Sequence, residues 1–543
     1  MMILKKIFLL LSIFLFSSCV QQDGWHSEYI EEAETKKPTI INNDFSSLGL
    51  YGTFDENPNI NISKTELSPK NISVLLPQSG TNSNIGKSLT HSIELALLLQ
   101  PNKNISVNFY DLSGNIEKKQ KIIREAISND PDIILGPIFA EDTKMVRDIK
   151  PIELPVLSFT SDSKVLGDGI MTMTLIPSQS VEYIVKEISR DLAKSVIIFA
   201  PNNNSGKLLA SVATVATSIY DVPLSGLFYY DENNSDSIKL SVKKATMYDA
   251  RLLANNKARE ILSDILIKEN LSENQKELLN KQLEKLSKSE TLGKIPYDAI
   301  LFLGNANDSK TIASFLRYFN IQNRDAKFYG TINWDDSEVC TDFNMSGSKF
   351  ATLPKISDNF SAVFEKLTNR KPSRLDTFAF DAVNLIKNMP ADNKKKIMYL
   401  LDPSGYKGID GLFKLKPNGE NERTLQIVET TGNGKRIVRQ TKKDFIKPIY
   451  SVESKNIDLI KNDIELVSDG INPMDYIDIP ENLRKKYKSK IFGANTKIEN
   501  KSNQENIIVI QEDANEVVNS PEFQPTELEQ IDKKLIDSVE VKE

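Results

Sequence analysis

The sequence predicts an α/β protein of two lobes, each built on a parallel sheet. Short apolar runs alternate with stretches of helical periodicity, turn residues separate the pieces, and the whole pattern occurs twice. In the first run, Ile72-Ser73-Val74-Leu75-Leu76 is a buried strand ended by Pro77 and Gly80. Ile85, Leu89, Ile93 and Leu97 then mark one face of a helix at four-residue spacing. A strand over 105–109, a helix over 116–128, the strand Ile133-Ile134-Leu135, a helix over 141–149 and the strand Val156-Leu157-Ser158-Phe159 follow. The second run starts after Pro177, with helices over 178–192 and 206–219 and strands over 195–200 and 224–229. Residues 298–303 and 327–330 add further strands. Parallel neighbours need helical crossovers, which the alternation supplies.

A helical insert over 238–292 interrupts the second run. Tyr248, Leu252, Ala258, Leu262 and Ile265 recur at near-heptad spacing. Ser272 with Gln275 forms a capping box that opens a second helix. Leu279, Leu283 and Leu286 give that helix an apolar stripe, and Glu277–Lys281 and Glu284–Lys288 are favourable i,i+4 pairs. Two readings stand: a hairpin packed on its own stripes, or a protrusion that offers a surface to a protein partner.

The ends are of another kind. Lys5 and Lys6 precede an apolar run from Ile7 to Phe16, too short to span a bilayer, and small residues follow. Phe16-Ser17-Ser18-Cys19 resembles a bacterial lipobox, which makes residues 1–18 a signal peptide and Cys19 the lipidation site. Val20, not Asp, follows the cysteine, and by the same resemblance favours the outer membrane over the inner. Residues 19–70 read as a flexible tether, and 455–543 as a mostly disordered tail of Glu, Asp, Lys, Asn and Gln. With Cys19 lipidated, Cys340 has no cysteine partner. Two histidines, His26 and His91, argue against a His-based metal site, and no cofactor motif is present. A net charge of −6 without a basic block leaves no footprint for nucleic acid. Gly86-Lys87-Ser88 lacks a phosphate-binding loop before it, and no nucleophile elbow or triad context occurs, so the chain is not read as an enzyme.

Several phrases taken in order resemble one superfamily. They are Val74-Leu75-Leu76-Pro77-Gln78-Ser79-Gly80 with Ile85-Gly86, Ile133-Ile134-Leu135-Gly136-Pro137, Leu154 to Asp162, Phe380-Asp381-Ala382-Val383, and Gly408-Ile409-Asp410-Gly411-Leu412-Phe413. Over 71–440, minus the insert, the chain is similar to type I periplasmic-binding proteins of the Leu/Ile/Val-binding kind. Within them it most resembles the penicillin-binding protein activator lipoproteins in their alphaproteobacterial form. The resemblance implies two Rossmann-like lobes joined by crossing strands around a cleft, lobe 1 being about 71–175 with 355–400 and lobe 2 about 176–333. It further implies a peptidoglycan synthase, a bifunctional penicillin-binding protein, as partner. Separately, no further apolar segment is long enough to cross a membrane, so the lipid anchor is expected to be the sole membrane attachment.

Ligands of open parallel sheets bind beyond the carboxyl ends of the strands. That rule selects Gln78, Ser79 and Gly80 after the first strand, Pro137, Ile138 and Phe139 after the third, and Ser158 and Thr160 at the fourth. Asn204 and Ser205 occupy the matching loop of lobe 2. Each has a plainer alternative: turn chemistry for Ser79-Gly80, a local hydrogen bond for Ser158, packing for Phe139, and a helix cap for the asparagine loop. The Pro137-Ile138-Phe139 loop lacks the hydroxyl that amino-acid binders present there. Two functions remain in play: an interaction factor that stimulates a synthase, and a solute-binding protein that delivers amino acids or small peptides to an ABC importer.

Overall fold

The computed structural model describes residues 39–40, 70–99, 105–335, 337–390, 392–442, 444–445, 457–466 and 470–492. The segment expected to be a signal peptide, Cys19, His26 and most of the expected tether and tail lie outside the described residues. The chain divides into two units, Met1–Ile479 and Pro480–Glu543.

In the first unit the chain starts with the two-residue strand β1 (Thr39–Ile40). Then come β2 (Lys70–Leu76), α1 (Ser83–Leu99), β3 (Ile105–Asp111), α2 (Ile116–Ser128), β4 (Ile133–Leu135), α3 (Ala140–Ile149), β5 (Val156–Ser158) and β6 (Ile170–Thr172). β2 to β6 form a five-stranded, all-parallel sheet in the order β3-β2-β4-β5-β6. β2, β4, β5 and β6 are buried almost throughout, which is why they read as unbroken apolar runs and not as alternating ones. Numbered by appearance within the sheet, the order is 2-1-3-4-5, a doubly wound arrangement whose switch point lies between β2 and β4.

Next come α4 (Pro177–Arg190), β7 (Val196–Pro201), α5 (Asn204–Ile219), β8 (Leu224–Tyr230), α6 (Ser235–Ala245), α7 (Tyr248–Lys268), α8 (Glu273–Ser287), β9 (Ala299–Phe302), α9 (Ala306–Tyr318), β10 (Lys327–Gly330) and β11 (Lys349–Thr352). Their sheet runs β8-β7-β9-β10-β11, the same 2-1-3-4-5 order with its switch point between β7 and β9. After α10 (Asp358–Thr368), α11 (Arg374–Lys387) and α12 (Asn393–Leu400), the strands β12 (Tyr406–Gly408), β13 (Gly411–Leu415) and β14 (Asn421–Arg423) form an antiparallel group that β1 joins in parallel. β15 (Gln426–Thr430) and β16 (Lys435–Arg439) extend the second sheet as antiparallel strands beside β11.

The packing follows the patterning. One apolar cluster holds Ile72, Leu89 and Ile93 together with Ile198, Leu301 and Phe380. A second, on the other face of the larger sheet, is aromatic: Phe199, Phe302, Phe328, Trp334 and Phe350 meet at ring-centroid separations from 5.3 to 6.2 Å. Trp334 donates its indole N–H to Ser309 at 2.9 Å, so its polar atom is satisfied inside the core.

Two expectations need correction. The insert is shorter than 238–292, because α6 is the ordinary crossover helix between β8 and β9, and the added part is the α7–α8 hairpin. Ala258, Leu262 and Ile265 of α7 and Leu279 and Leu286 of α8 are buried, while Leu252 and Leu283 are only half-buried. The capping box at Ser272 and both glutamate–lysine pairs form. Disorder from 455 onward also fails in part. Residues 457–466 and 470–479 run as a belt over the second sheet and the hairpin: Ile464 makes an antiparallel bridge with Leu227, and Asp478 exchanges two hydrogen bonds with the Gln282 side chain. Ile457, Ile460 and Ile464 dock in the apolar cluster, and that thin apolar spacing within a charged stretch is what holds the belt down. In the second unit, α13 (Glu481–Phe492) is the described helix.

Candidate functional site

β2 ends at the switch point of the first sheet, and its loop carries Gln78, Ser79 and Gly80. Asp111, the last residue of β3, claims this loop. It accepts the backbone N–H groups of Gln78 at 2.7 Å and Ser79 at 3.3 Å, and the Ser79 hydroxyl at 2.7 Å. Burial pulls the Asp111 carboxyl upward, but hydrogen bonds from Ser79, Gln78 and Ser113 hold it below the usual carboxylate range. The Gln78 amide donates to Thr90 on α1 at 2.8 Å. Gly80 has a left-handed backbone (φ +74°) and open space where a Cβ would stand. Gly86, one turn into α1, is different: a Cβ there would lie 1.8 Å from the carbonyl oxygen of Pro77.

The β4 loop brings Pro137, Ile138 and Phe139 to the other side of the same switch point. Pro137 is buried, while Ile138 and Phe139 are half-buried, Ile138 against the main apolar cluster. Phe139 caps α3 through its backbone alone, its carbonyl accepting the Thr143 N–H and hydroxyl at 2.9 Å each. Ser158 is fully buried. Its Oγ lies 2.9 Å from the Pro137 carbonyl and 3.0 Å from the Thr143 hydroxyl, and it accepts the Thr160 N–H at 3.1 Å. Thr160 is buried as well, its carbonyl accepting the hydroxyls of Thr172 at 2.6 Å and Thr174 at 2.8 Å. The Thr160 hydroxyl accepts the Asp162 N–H at 3.2 Å, so these groups bond within the strand ends, and the Ser158 hydroxyl has little capacity left for a ligand.

The second sheet repeats the layout. Asn203 caps α5 by accepting the Gly206 N–H at 2.8 Å and donates to Glu232 at 2.7 Å. A Cβ on Gly206 would lie 2.1 Å from the Pro201 carbonyl, as Gly86 stands to Pro77. Asn204 and Ser205 are exposed in the first turn of α5, at the switch point between β7 and β9. The structure thus places eight of the ten loop residues beside the first sheet's strand ends and the other two in the corresponding turn of the second.

Sequence reading missed the buried ionic network where the segment after β6, α11 and the small antiparallel sheet meet. Arg423 of β14 lies between the rings of Phe378 and Phe413, 4.1 and 4.9 Å from their centroids, and donates to the Met173 carbonyl at 2.8 Å. Asp381 of α11 accepts the Ile409 N–H at 3.0 Å, and burial pushes its carboxyl up to about 8 against the pull of Arg423. Asp410 is fully buried and receives Arg374 at 2.8 Å. Between α1 and α11, Asp376 accepts both Arg370 guanidinium nitrogens at 2.7 Å and the hydroxyls of Ser88 and Ser92. Of these residues, Asp381 and Asp410 lie in phrases singled out in the sequence, but their partners are remote in the chain.

A groove of about 530 Å³ runs along the exposed side of the hairpin, lined by Asn256, Arg259, Ser263, Asn280 and Glu284 among others. The hairpin base is pinned by two buried side chains of α7. Arg251 donates to the carbonyls of Gly293 and Phe319, and Asn255 to that of Ser289 at 2.6 Å.

Residues 59–217 match the family described as "LppC putative lipoprotein". Among curated proteins, the penicillin-binding protein activator LpoA of Vibrio vulnificus (strain YJ016) is 20% identical over 172 residues, 31% of this chain. The match spans 28% of that relative's length. Among solved structures, one described as "a putative branched-chain amino acid ABC transporter from Rhodospirillum rubrum" superposes with a TM-score of 0.52 at 14% identity, over 68% of this chain and all of that one. The LpoA C-domain of Haemophilus influenzae, described as a regulator of PBP1A, aligns at 16% identity over 68% of this chain and 99% of its own, with a TM-score of 0.45. The doubled 2-1-3-4-5 sheets and the superposition give the chain the type I periplasmic-binding-protein fold, and residues 59–217 within it are similar to the LppC lipoprotein family.

Proposed function

We propose that the protein is a non-catalytic, periplasm-facing lipoprotein that binds a peptidoglycan synthase and stimulates it. The observation that carries this reading is the LppC family match over 59–217, reinforced by a curated relative named for activating a penicillin-binding protein. The loops at the first switch point point the same way. The hydroxyls of Ser79 and Ser158 are spent on Asp111, Pro137 and Thr143, and that of Thr160 accepts the Asp162 N–H, which suits a scaffold better than a small-molecule receptor. In this reading residues 1–18 direct export, Cys19 carries the lipid that holds the protein on the outer membrane, and the following segment gives reach across the periplasm.

The test is a capture experiment. Mature protein, with Cys19 replaced, is immobilised and incubated with detergent-solubilised membranes of its own source, and bound penicillin-binding proteins are labelled with fluorescent penicillin. A labelled band that survives moderate salt, and whose glycan polymerisation rises on adding the free protein, supports the proposal. An empty lane alongside working lipoprotein–synthase controls refutes it. A thermal shift with amino acids would then test the solute-binding alternative.

A further inference from the structure

On the second lobe, aromatic side chains stand out of the surface under cationic ones. Tyr318, the last residue of α9, is 64% exposed, and Phe343, in the 3-10 turn Phe343–Met345, is 75% exposed. Leu240 of α6 is 57% exposed. Each ring carries a cation over its face. The Lys239 ammonium lies 5.6 Å from the Tyr318 centroid, and the Arg317 guanidinium 5.3 Å from that of Phe343. Lys243 sits 5.9 Å from the Tyr248 centroid, and Tyr248 in turn packs on Phe319 at 4.8 Å. These residues lie on neighbouring elements, since α9 packs on both α6 and the 343–345 turn.

Single exposed apolar residues are ordinary on a protein surface. This group differs in two respects. Tyr, Phe and Arg are the residue types that dominate the centres of protein–protein interfaces. The stacked cations also have few carboxylates of their own: Lys243 pairs with Asp249 at 2.8 Å, whereas Arg317 donates to the neutral amide of Asn344 at 3.2 Å. The patch therefore offers rings for apolar contact and a surplus of positive charge for a carboxylate-bearing partner.

Resting on the reading above, we infer that the face formed by Tyr318, Phe343, Arg317, Lys239 and Lys243 is where the synthase docks, through an acidic surface that also presents aliphatic side chains. Packing of the rings supplies most of the contact energy, and the cations set orientation and salt sensitivity.

The experiment repeats the capture with three full-length variants of matched thermal stability. Tyr318→Ser/Phe343→Ser removes the rings, Lys239→Glu/Arg317→Glu reverses the charge, and Ile116→Ser/Ile152→Ser alters an exposed apolar pair on the first lobe. The expected result is full capture by wild type and the Ile116/Ile152 variant, and at least about a tenfold loss in each patch variant. The loss in the charge-reversed variant should shrink as salt is raised. Wild-type capture with undiminished capture by both patch variants overturns the docking surface and leaves the proposed function standing. Failure of wild type to capture any synthase overturns both.

Discussion

Gly86→Ala should destabilise the protein although it replaces glycine by the best helix former inside a helix. Propensity alone favours the change by about 1 kcal/mol. Gly86 is buried where α1 crosses the end of β2, and the added Cβ would stand 1.8 Å from the Pro77 carbonyl oxygen. To regain even the 3.0 Å below which real Cβ contacts essentially do not occur, helix or loop must retreat by more than ~1 Å. The obstacle is backbone, so no rotamer relieves it, and overpacking of this kind costs about 3 kcal/mol, the upper end of the usual range. Set against the propensity gain, the net loss is ~2 kcal/mol. Gly80→Ala, six residues earlier, meets no atom within 4 Å and pays only for its left-handed backbone, about 1 kcal/mol. Urea denaturation followed by far-ultraviolet circular dichroism would rank the two variants against wild type. A Gly86→Ala protein as stable as wild type, or more stable, would refute the close-approach argument. A Gly86→Ala loss smaller than that of Gly80→Ala would refute the ordering.

Arg370→Ala leaves the fully buried Asp376 carboxylate without its bidentate partner, and urea unfolding should show a loss of about 3–5 kcal/mol, with rescue by Asp376→Asn in the double variant. Burial opposes the Asp376 charge, but Arg370, Ser92 and Ser373 hold its carboxyl below the ordinary value, so this stabilisation is complete above the unfolded carboxylate pKa of about 4 and fades as acid is added below it. Asp381 has the opposite sign. Burial raises its folded value to about 8, so the folded state holds a proton that the unfolded chain releases, and its contribution to stability falls from about pH 4 up to about pH 8 and then levels. Urea midpoints across that window should decline in wild type and flatten in Asp381→Asn; an equal slope in both would remove the buried carboxyl from the account. Ser158→Ala abolishes the hydroxyl shared by Pro137, Thr143 and Thr160, and should cost about 1–3 kcal/mol while leaving synthase capture unchanged.

How legible the molecule is from its sequence depends on how local each cause is. β2, β4 and β7 announce themselves because burial on both faces demands unbroken apolar runs, and the Ser272 capping box needs only four consecutive residues. β6 and β11 escape notice: Ile170–Thr172 is three residues between turns, and Lys349–Thr352 carries lysine and threonine at its ends. The α6–α7 junction is invisible as well, since Met247 breaks the helix with a left-handed backbone that nothing in its side chain demands. In the loops, rules for strand ends located Ser79 and Ser158, but not that Asp111 or Thr143 would occupy them. Asp111 is set by sheet register and Thr143 by the packing of α3, not by residues adjacent in the chain. The Asp376 cluster draws Ser88 from 288 residues away, a distance at which no periodicity speaks.

The belt over the second sheet has a consequence for how the molecule comes into being. β8 is an edge strand, and the bridge from Ile464 to Leu227 covers its open side, where Asp463 also accepts the Tyr229 N–H from 234 residues downstream. A chain emerging N-terminus first at about 5–20 residues per second leaves that edge bare for some tens of seconds before its cover exists. During that interval the unpaired N–H and C=O groups of β8 are a template for any other strand. A product that stops short of Asp463 keeps this template permanently, so nicking or premature termination ahead of the belt should give a lobe that adheres to its own kind.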